Sequence, residues 1–421
     1  MVLYTYTFDG QFELSCGITF KRISYIGGSM LKKVCMLVDW NMYEVVRHFT
    51  KKLAEAMERK GIEVQIIDAH EEDIDPDLFR DFMINPPDIT CSFNRIAKLS
   101  SGKYLWDFLK IPHVAFLVDP PIYYLDLTDS PYIVLTSVDR SDAAAVRSIF
   151  PKMLFWPHAV ERELLSDEKS KRDKDVVFFG SCFDFLGLRR EWKTKLTPQL
   201  DWILDFAIDI ALINSSITLS EALSSAWEAG GLKKSYGQEN FLLLYHYFEK
   251  FMLGKDRYEL LYAIQDANVH VYGESFPLSK DKKYPEWSEL LPNKKNIVFH
   301  PPVPYTESFE ILKTSKICLN SVPSFRDGTH ERIFSGLACG ALPVTSDSKY
   351  LGEFFTHKEN ILFYKANHWL EVNGWINDFL EDEKKRKIAA AKGREIVMKH
   401  HTWDVRVEQL LRELPAFLPK K

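Results

Sequence analysis

Short apolar runs alternate with amphipathic segments along most of the chain. The first run, residues 34–38, precedes a segment, 43–60, in which apolar side chains recur at every third or fourth position until Gly61. This spacing predicts a buried strand followed by a helix. The further strand-like runs of this half are residues 62–67, 89–93, 114–118, 133–136 and 154–156. Strands that alternate with helices indicate a parallel sheet covered on both faces.

The same alternation resumes after the charged stretch 161–174. The strand-like runs of this half are residues 175–179, 269–272, 297–299, 317–319 and 342–345. A helical region at about 197–267 is longer than a single crossover requires, so we interpret it as an insertion. The predicted fold class is therefore α/β, with two tandem, doubly wound, Rossmann-like domains and a helical insertion in the second domain.

The alternation also predicts how the chain is divided. The predicted parts are an N-terminal extension at 1–29, an N-terminal domain at 30–160, a linker at 161–174, a C-terminal domain at 175–400 and a last helix at 401–421. We expect that helix to pack back on the N-terminal domain. Gly-Gly-Ser precedes Met30 and favours Met30 as the native start. The alternative is that the extension adds a strand or hairpin to the edge of the sheet.

Composition and charge exclude several classes of protein. Of the 421 residues 46% are apolar and 27% are charged, which is globular composition. The net charge of −5 argues against a protein that binds nucleic acid through its charge. No run approaches the roughly 18 apolar residues of a membrane-spanning helix, so no transmembrane segment is predicted. The six cysteines are scattered, which favours reduced thiols in a cytoplasmic protein.

Ligands of open parallel sheets bind beyond the carboxyl ends of the strands, and this rule directs attention to residues 180–190. Gly180 and Ser181 follow the strand at 175–179, and Arg190 comes shortly after them. A glycine lets a backbone amide approach a phosphate, and an arginine neutralises its charge. An ordinary turn with a solvated arginine is the alternative interpretation.

The segment 324–345 carries a stronger signal. It consists of a polar loop, a short amphipathic helix, a glycine and a buried strand. With Thr329 as the expected N-cap, His330, Glu331 and Arg332 lie in the first helical turn, at the positive end of the helix dipole. That end suits a diphosphate, and a carboxylate there can accept two ribose hydroxyls. A plain first-turn acid favoured by the dipole is the alternative for Glu331.

No metal site or tightly bound cofactor is predicted. Asp73, Asp75 and Asp77 show the spacing of a diphosphate–metal motif, but they lie in an acidic stretch that favours a solvated loop. The twelve histidines contain no zinc-binding pattern.

The residues now described resemble those of GT-B-fold glycosyltransferases, in particular the spore-maturation CgeB-type and related group-1 glycosyltransferase-like proteins. The most specific piece is residues 328–345, which look like the nucleotide-sugar segment of that family. Many retaining relatives carry a pair of glutamates here, whereas this chain has Asp327 and Ser335. Glu331 lies between these positions, so we expect it to take the ribose role.

The resemblance implies two domains that face a cleft and a glycosyltransferase activity. The co-substrate would be a nucleotide-diphosphate sugar, with UDP expected, and the acceptor a protein or a glycan. Transfer would need no metal ion. The donor-binding residues expected from the residues and the resemblance are Gly180, Ser181, Arg190, Gly273, Tyr305, Asn320, His330, Glu331, Arg332 and Gly340.

An inverting reaction would also need a base from the N-terminal domain. Asp119 is the first candidate and Asp39 the second, although an aspartate before Pro120 and Pro121 can simply stabilise a turn. Two other classes stay open: another GT-B enzyme, such as a sugar-nucleotide epimerase or polyol-phosphate transferase, and a catalytically silent scaffold. The sequence does not specify the oligomeric state.

Overall fold

Parallel strands form one sheet in each half of the chain. The computed structural model describes residues 31–38, 42–68, 84–94, 98, 102–164, 171–232, 239–277 and 283–418. The predicted extension at 1–29 and Asp39 lie outside these residues, as do Asp73, Asp75 and Asp77. Within the described residues each sheet has six strands, all paired in parallel. The predicted fold class, with two Rossmann-like domains, is confirmed.

The first sheet has the strand order β2-β1-β3-β4-β5-β6. Its strands are β1 (Lys33–Val38), β2 (Glu63–Asp68), β3 (Ile89–Phe93), β4 (His113–Phe116), β5 (Ile133–Ser137) and β6 (Met153–Phe155). The α-helices described between them are α1 (Val45–Glu58), α2 (Leu105–Leu109) and α3 (Arg140–Ala145). A 3₁₀ segment, Pro121–Asp129, follows β4.

The second sheet has the order β12-β11-β10-β7-β8-β9, so the strand order reverses between β7 and β10. Its strands are β7 (Lys174–Phe179), β8 (Val269–Tyr272), β9 (Ile297–His300), β10 (Ser315–Asn320), β11 (Leu342–Ser346) and β12 (Leu362–Tyr364). A reversal of this kind opens a crevice at the carboxyl ends of the two strands, where ligands bind.

Helices of two kinds accompany the second sheet. Between β7 and β8 come α4 (Phe185–Lys195), α5 (Pro198–Ile213), α6 (Leu219–Ala229) and α7 (Glu239–Ala263), which build a core of their own. The helices after β8 are α8 (Trp287–Leu290), α9 (Tyr305–Lys313), α10 (Glu331–Ala338), α11 (Lys349–Gly352), α12 (Glu371–Glu381), α13 (Glu383–His400) and α14 (Trp403–Glu413). Below, "insertion" means α4 to α7.

Two details differ from the sequence analysis. The first helix begins at Val45, because Tyr43 and Glu44 have φ angles of 60° and 61°, which a right-handed helix excludes. The three-residue strand β12 was not predicted.

One apolar cluster joins the two domains. Phe49 of α1, 2% exposed, packs at 5.5 Å between ring centroids against Tyr305 of α9 and at 5.4 Å against Trp403 of α14. The Arg59 guanidinium holds α14 from the side, with donor–acceptor distances of 2.8 and 2.6 Å to the two Asp404 carboxylate oxygens. The last α-helix therefore packs on α1 of the N-terminal domain.

The backbones of the two domains also touch directly. Asp139, after β5, forms an antiparallel bridge with Gly328, and the Arg140 amide donates to the Asp327 carbonyl at 3.0 Å. A Cβ atom on Gly328 would lie 2.3 Å from the carbonyl oxygen of Val138. Only glycine allows this approach without displacement of one backbone.

Gly328→Ala should therefore lower the free energy of unfolding by about 1–3 kcal/mol, because the added methyl group pushes the two domains apart. Gly374→Ala is the matched control: an added Cβ at this exposed position in α12 meets nothing within 4 Å. That variant should be more stable by roughly 0.5–1 kcal/mol. Urea unfolding curves measure both, and equal midpoints for Gly328→Ala and the parent would contradict the tight contact.

Candidate functional site

The carboxyl edges of the two sheets face each other across a cleft. The Tyr43 hydroxyl, beyond the end of β1, donates to Glu274 Oε1, beyond the end of β8, at 2.8 Å. At another point along the same edges, Asp139 after β5 meets Gly328 beyond β10. Loops from both domains therefore enclose the space beyond the strand ends, where open α/β sheets bind ligands.

Two of the predicted donor-site glycines touch each other at the ends of β7 and β8. A Cβ atom on Gly273 would lie 2.2 Å from the carbonyl oxygen of Gly180. The Gly180 amide donates to the Tyr272 carbonyl at 3.0 Å, which fixes the loop that begins there. Asn320, at the end of β10 on the other side of β7, is 2% exposed, and its Nδ2 donates to Thr345 Oγ1 at 2.9 Å. These three residues lie at the predicted edge of the second sheet.

The helix α10 begins at this same edge. Its apolar face, with Ile333, Phe334 and Leu337 all at most 1% exposed, anchors it in the core. The N-cap is His330 and not Thr329 as expected, and its Nδ1 lies 3.4 Å from the Arg332 amide nitrogen. The first turn therefore presents its free amides and its charged side chains to the cleft.

His330, Glu331 and Arg332 bind one another in this first turn. His330 Nδ1 lies 2.8 Å from Glu331 Oε2, and Arg332 Nε lies 3.4 Å from Glu331 Oε1. Burial by itself would raise the pKa of Glu331, but His330, by its charge and its hydrogen bond, and the charge of Arg332 outweigh burial and hold that pKa well below its usual value. Glu331 is therefore an anion at neutral pH, with its charge matched locally.

A second arginine, absent from the sequence prediction, lies beside Arg332. The Arg332 Nη1 donates to the Phe179 carbonyl, and Arg257 Nη1, from α7 of the insertion, donates to the Ser181 carbonyl at 2.8 Å. Among the described residues Arg257 Nε has no hydrogen-bond partner, although the residue is only 8% exposed. Burial and the neighbouring Arg332 charge lower the pKa of Arg257 to about 9. Two guanidinium groups thus converge on the loop after β7.

His158 contributes to the site from the N-terminal domain. It follows β6, is 3% exposed, and its ring centroid lies 5.7 Å from that of His330. Its Nε2 is buried without a hydrogen-bond partner among the described residues. Burial lowers the pKa of His158 to about 3, so the imidazole is neutral over the physiological range.

Asp119 lies on the facing side of the cleft, after β4, and solvent reaches it. Its Oδ2 accepts hydrogen bonds from Asn94 Nδ2 at 2.9 Å and from the Tyr124 hydroxyl at 3.1 Å. Removal of water by the surrounding protein raises the pKa of Asp119. The positive charge of Lys250 lowers this pKa, and the negative charge of Glu249 raises it further. Asn94 was not singled out from the sequence; it directly follows β3 and has a φ of 55°, a conformation that asparagine tolerates.

Three predicted donor-site residues lie apart from this cluster. Gly340 ends the turn after α10 and precedes β11, so it lies at the amino edge of the second sheet, opposite the cleft. Arg190 is exposed on α4. Tyr305 is 8% exposed and packs against Phe49 in the core between the domains, which limits its access to a ligand.

The two positions where relatives carry glutamates have other roles in this chain. Asp327 accepts from Arg140 Nη2 at 2.9 Å and so forms an ion pair between the domains. Ser335 is 1% exposed, and its hydroxyl donates to the Glu331 carbonyl at 3.2 Å within α10. Of the three positions 327, 331 and 335, only Glu331 places a carboxylate in the first turn of α10.

The buried, neutral His158 predicts a pH dependence of stability. The unfolded chain binds a proton to this histidine below pH about 6.5, whereas the folded chain excludes it until pH about 3. Folding stability that this residue maintains at neutral pH is therefore lost as the pH falls through that window, by up to about 1.4 kcal/mol per pH unit.

His158→Gln should consequently lose about 2 kcal/mol less stability than the parent between pH 7 and pH 5. Denaturant unfolding at both pH values measures the difference. His368→Gln replaces an exposed histidine before α12 and leaves His158 in place, so it should keep the part of the pH dependence that is due to His158. If the stability of His158→Gln fell with pH as steeply as that of the parent, the folded protein would not keep His158 neutral.

Comparisons with known proteins find one matching sequence segment and several matching structures. Residues 257–412 match the family model described as glycosyl transferase-like. A search of curated proteins by sequence finds no match. No helix of the described residues has the length and apolarity to cross a membrane.

Solved structures match both domains. Sucrose-phosphate synthase from Thermosynechococcus elongatus has a TM-score of 0.55 at 12% identity, over 92% of this chain and 100% of that one. HepE from Anabaena, in complex with UDP and glucose, has a TM-score of 0.52 at 11% identity, over 91% and 100%. An alpha-glucosyltransferase in complex with UDP has a TM-score of 0.53 at 10% identity, over 92% and 100%. The chain therefore has the GT-B fold, and the prediction of a glycosyltransferase is confirmed by the glycosyl transferase-like segment at residues 257–412.

Proposed function

We propose that the protein transfers a sugar from a UDP-linked donor to a glycan or protein acceptor in the cytoplasm, without a metal ion. The observation that carries this proposal is the pair of guanidinium groups, Arg257 and Arg332, on the loop after β7. The sequence similarity at residues 328–345 supports a CgeB-type member of the glycosyltransferases. The nucleotide sugar is a co-substrate, and no separate cofactor is part of the proposal.

The arginine pair suits the diphosphate of the donor. Arg332 Nη1 donates to the carbonyl of Phe179, the last residue of β7, and Arg257 Nη1 donates to that of Ser181 in the loop that follows. Arg332 Nε also lies 3.4 Å from Glu331 Oε1 and its Nη2 lies 3.1 Å from His330 Nε2, whereas Arg257 Nε has no hydrogen-bond partner among the described residues. Both groups lie at the end of β7, where the strand order reverses. A diphosphate bound there would receive charge-assisted hydrogen bonds and would offset the positive charge of the largely buried Arg257.

Glu331 suits the ribose of the same donor. His330 and Arg332 approach different oxygens of its carboxylate, so each oxygen keeps a free lone pair. Both ribose hydroxyls could donate to these oxygens, while the helix dipole favours the negative charge. The assignment of UDP is supported by the UDP complexes of HepE and of the alpha-glucosyltransferase, which share the fold.

Two features would stabilise the leaving group without a metal. As the bond from the sugar C1 to the diphosphate oxygen breaks, negative charge develops on UDP, and the two arginines and the amides of α10 are already in place to bind it. Transfer that requires added manganese or magnesium would contradict this part of the proposal.

Asp119 is the proposed base on the acceptor side. It would accept the proton of the acceptor hydroxyl while that oxygen forms the new bond to the sugar C1. Its hydrogen bonds from Asn94 and Tyr124 hold one carboxylate oxygen and leave the other for this proton.

Replacing either arginine of the pair should weaken UDP binding and spare uridine. Arg257→Ala and Arg332→Ala each remove a charge-assisted hydrogen bond, so the affinity for UDP should fall about ten- to a hundredfold. Glu331→Gln should weaken uridine and UDP alike, because ribose is its proposed partner. Calorimetric titration of both ligands separates the two roles.

The matched control is Arg189→Ala, because this guanidinium is engaged at 2.7 Å by Asp205 within the insertion. That variant should bind UDP like the parent. Parental affinity for UDP in both Arg257→Ala and Arg332→Ala would place the donor site elsewhere.

Asp119→Asn should lower the turnover of UDP-sugar by orders of magnitude and leave the affinity for UDP unchanged, because the proposed role concerns the acceptor proton alone. Release of UDP from UDP-glucose, together with calorimetry, measures both quantities. Unaltered turnover would limit Asp119 to stabilising the turn before Pro120.

A further inference from the structure

His158 is a polar residue of the N-terminal domain that has no role in the reaction proposed above. It lies three residues after the end of β6, at the carboxyl edge of the first sheet. The backbone around it is fixed from two sides. Arg406 Nε donates to the Pro157 carbonyl at 2.9 Å, and the Val160 amide donates to the His401 carbonyl at 2.9 Å. The imidazole is therefore held where the chain leaves the first domain.

The ring of His158 contacts both domains. Its centroid lies 5.9 Å from that of Phe49 in α1 and 5.7 Å from that of His330 at the start of α10. Both nitrogens of His330 already have neighbours: Nδ1 lies 2.8 Å from Glu331 Oε2, and Nε2 lies 3.1 Å from Arg332 Nη2. His158 thus packs directly against the group of side chains that forms the proposed donor site.

The hydrogen-bonding capacity of this imidazole is not met within the protein. His158 is 3% exposed, and its Nε2 is buried without a hydrogen-bond partner among the described residues. Buried polar groups are nearly always paired, because an unpaired one lowers stability. An apolar side chain of similar volume would pack against Phe49 without this cost. The unpaired nitrogen therefore points to a partner that is not part of the chain.

The position of His158 indicates which part of a nucleotide sugar this partner is. In the proposed reaction Glu331 binds the ribose and Arg332 the diphosphate, both from the second domain. The sugar has to point towards the acceptor, which lies on the side of the first domain. Of the two phosphates, the one that carries the sugar is therefore the nearer to the first domain. A side chain of that domain that touches the first turn of α10 meets this phosphate first.

We propose that His158 completes the donor site from the N-terminal domain: its Nε2–H group donates a hydrogen bond to an oxygen of the sugar-bearing phosphate. This inference rests on the proposed function, which places the diphosphate of a UDP-linked sugar at the first turn of α10. The imidazole keeps its proton throughout. As the bond from the sugar C1 to the phosphate oxygen breaks, its electron pair stays on that oxygen, and the hydrogen bond strengthens with the developing charge.

The charge state of the ring agrees with this role. Burial lowers the pKa of His158 to about 3; the Glu331 carboxylate opposes this effect, and His330 and Arg332 add to it. The ring is therefore neutral at pH 7 and carries one proton, which Nε2 holds when Nδ1 is the unprotonated nitrogen. A neutral N–H donor binds the phosphate without adding a third positive charge beside Arg257 and Arg332.

The experiment compares His158→Leu, His158→Gln and the parent. Leucine fills the space without a polar atom, so the melting temperature of His158→Leu should equal or exceed that of the parent. Its affinity for UDP should nevertheless fall about ten- to a hundredfold. UMP lacks the second phosphate and should bind as it does to the parent. Glutamine keeps an N–H donor at similar reach, so His158→Gln should retain most of the affinity for UDP. Scanning and titration calorimetry measure these quantities.

The matched control is His113→Leu. His113 is a buried histidine of the same domain, but both of its nitrogens have partners: Nδ1 lies 2.9 Å from Thr90 Oγ1, and Nε2 lies 3.1 Å from Ser92 Oγ. Leucine at this position deprives both hydroxyls of the imidazole, so the variant should melt below the parent and bind UDP with parental affinity. The opposite pattern in the two variants separates a lost ligand contact from lost packing.

The remaining outcomes contradict the proposal. Parental affinity for UDP in His158→Leu overturns it and leaves an ordered water molecule as the partner of Nε2. Equal weakening of UMP and UDP overturns the assignment to the sugar-bearing phosphate. If Arg332→Ala weakens UDP binding and His158→Leu does not, the proposed function stands and this inference alone fails. If the parent does not bind UDP, both fail.

Discussion

The packing of Phe49 against Tyr305 and Trp403 is the contact on which the rest of the molecule depends. It joins α1 of the first domain to α9 and α14, which follow the second sheet, in one continuous apolar cluster. Burial of aromatic rings is the largest favourable term available to a contact of this size. With these helices fixed, the carboxyl edges of the two sheets have to face each other. The cleft is thus a consequence of the packing of α1 against α9 and α14.

The local sequence pattern was sufficient to predict the main strands and helices of both domains. The run at residues 175–179 lies within β7, whose three central residues, 176–178, are apolar and buried, as expected for a strand covered on both faces. Gly180 and Gly273 could be singled out because each follows such a strand, and the structure brings their backbones together. The first turn of α10 was predicted for the same reason: the apolar period of residues 333–338 fixed the direction of the helix.

The remaining parts of the site depend on contacts between residues far apart in the chain. The Arg257 guanidinium donates to the Ser181 carbonyl, 76 positions away in the chain. Arg257 lies in a 25-residue helix whose sequence shows only that it is long and largely buried. Gly340 shows that closeness in sequence can also mislead. It lies near the predicted site in the sequence, but it belongs to the opposite edge of the sheet. Charged residues on the buried face of such a helix were the available signal.

The two passages of the chain between the domains are bonded to each other. The Val160 amide donates to the His401 carbonyl at 2.9 Å, and the Trp403 amide donates to the Val160 carbonyl at 3.1 Å. Two independent tethers would let one domain twist and slide over the other. Joined in this way, the two passages cannot shift independently of each other. A wider cleft would also require the backbone contact between Gly328 and Asp139 to break, so the width of the cleft is tied to that bridge.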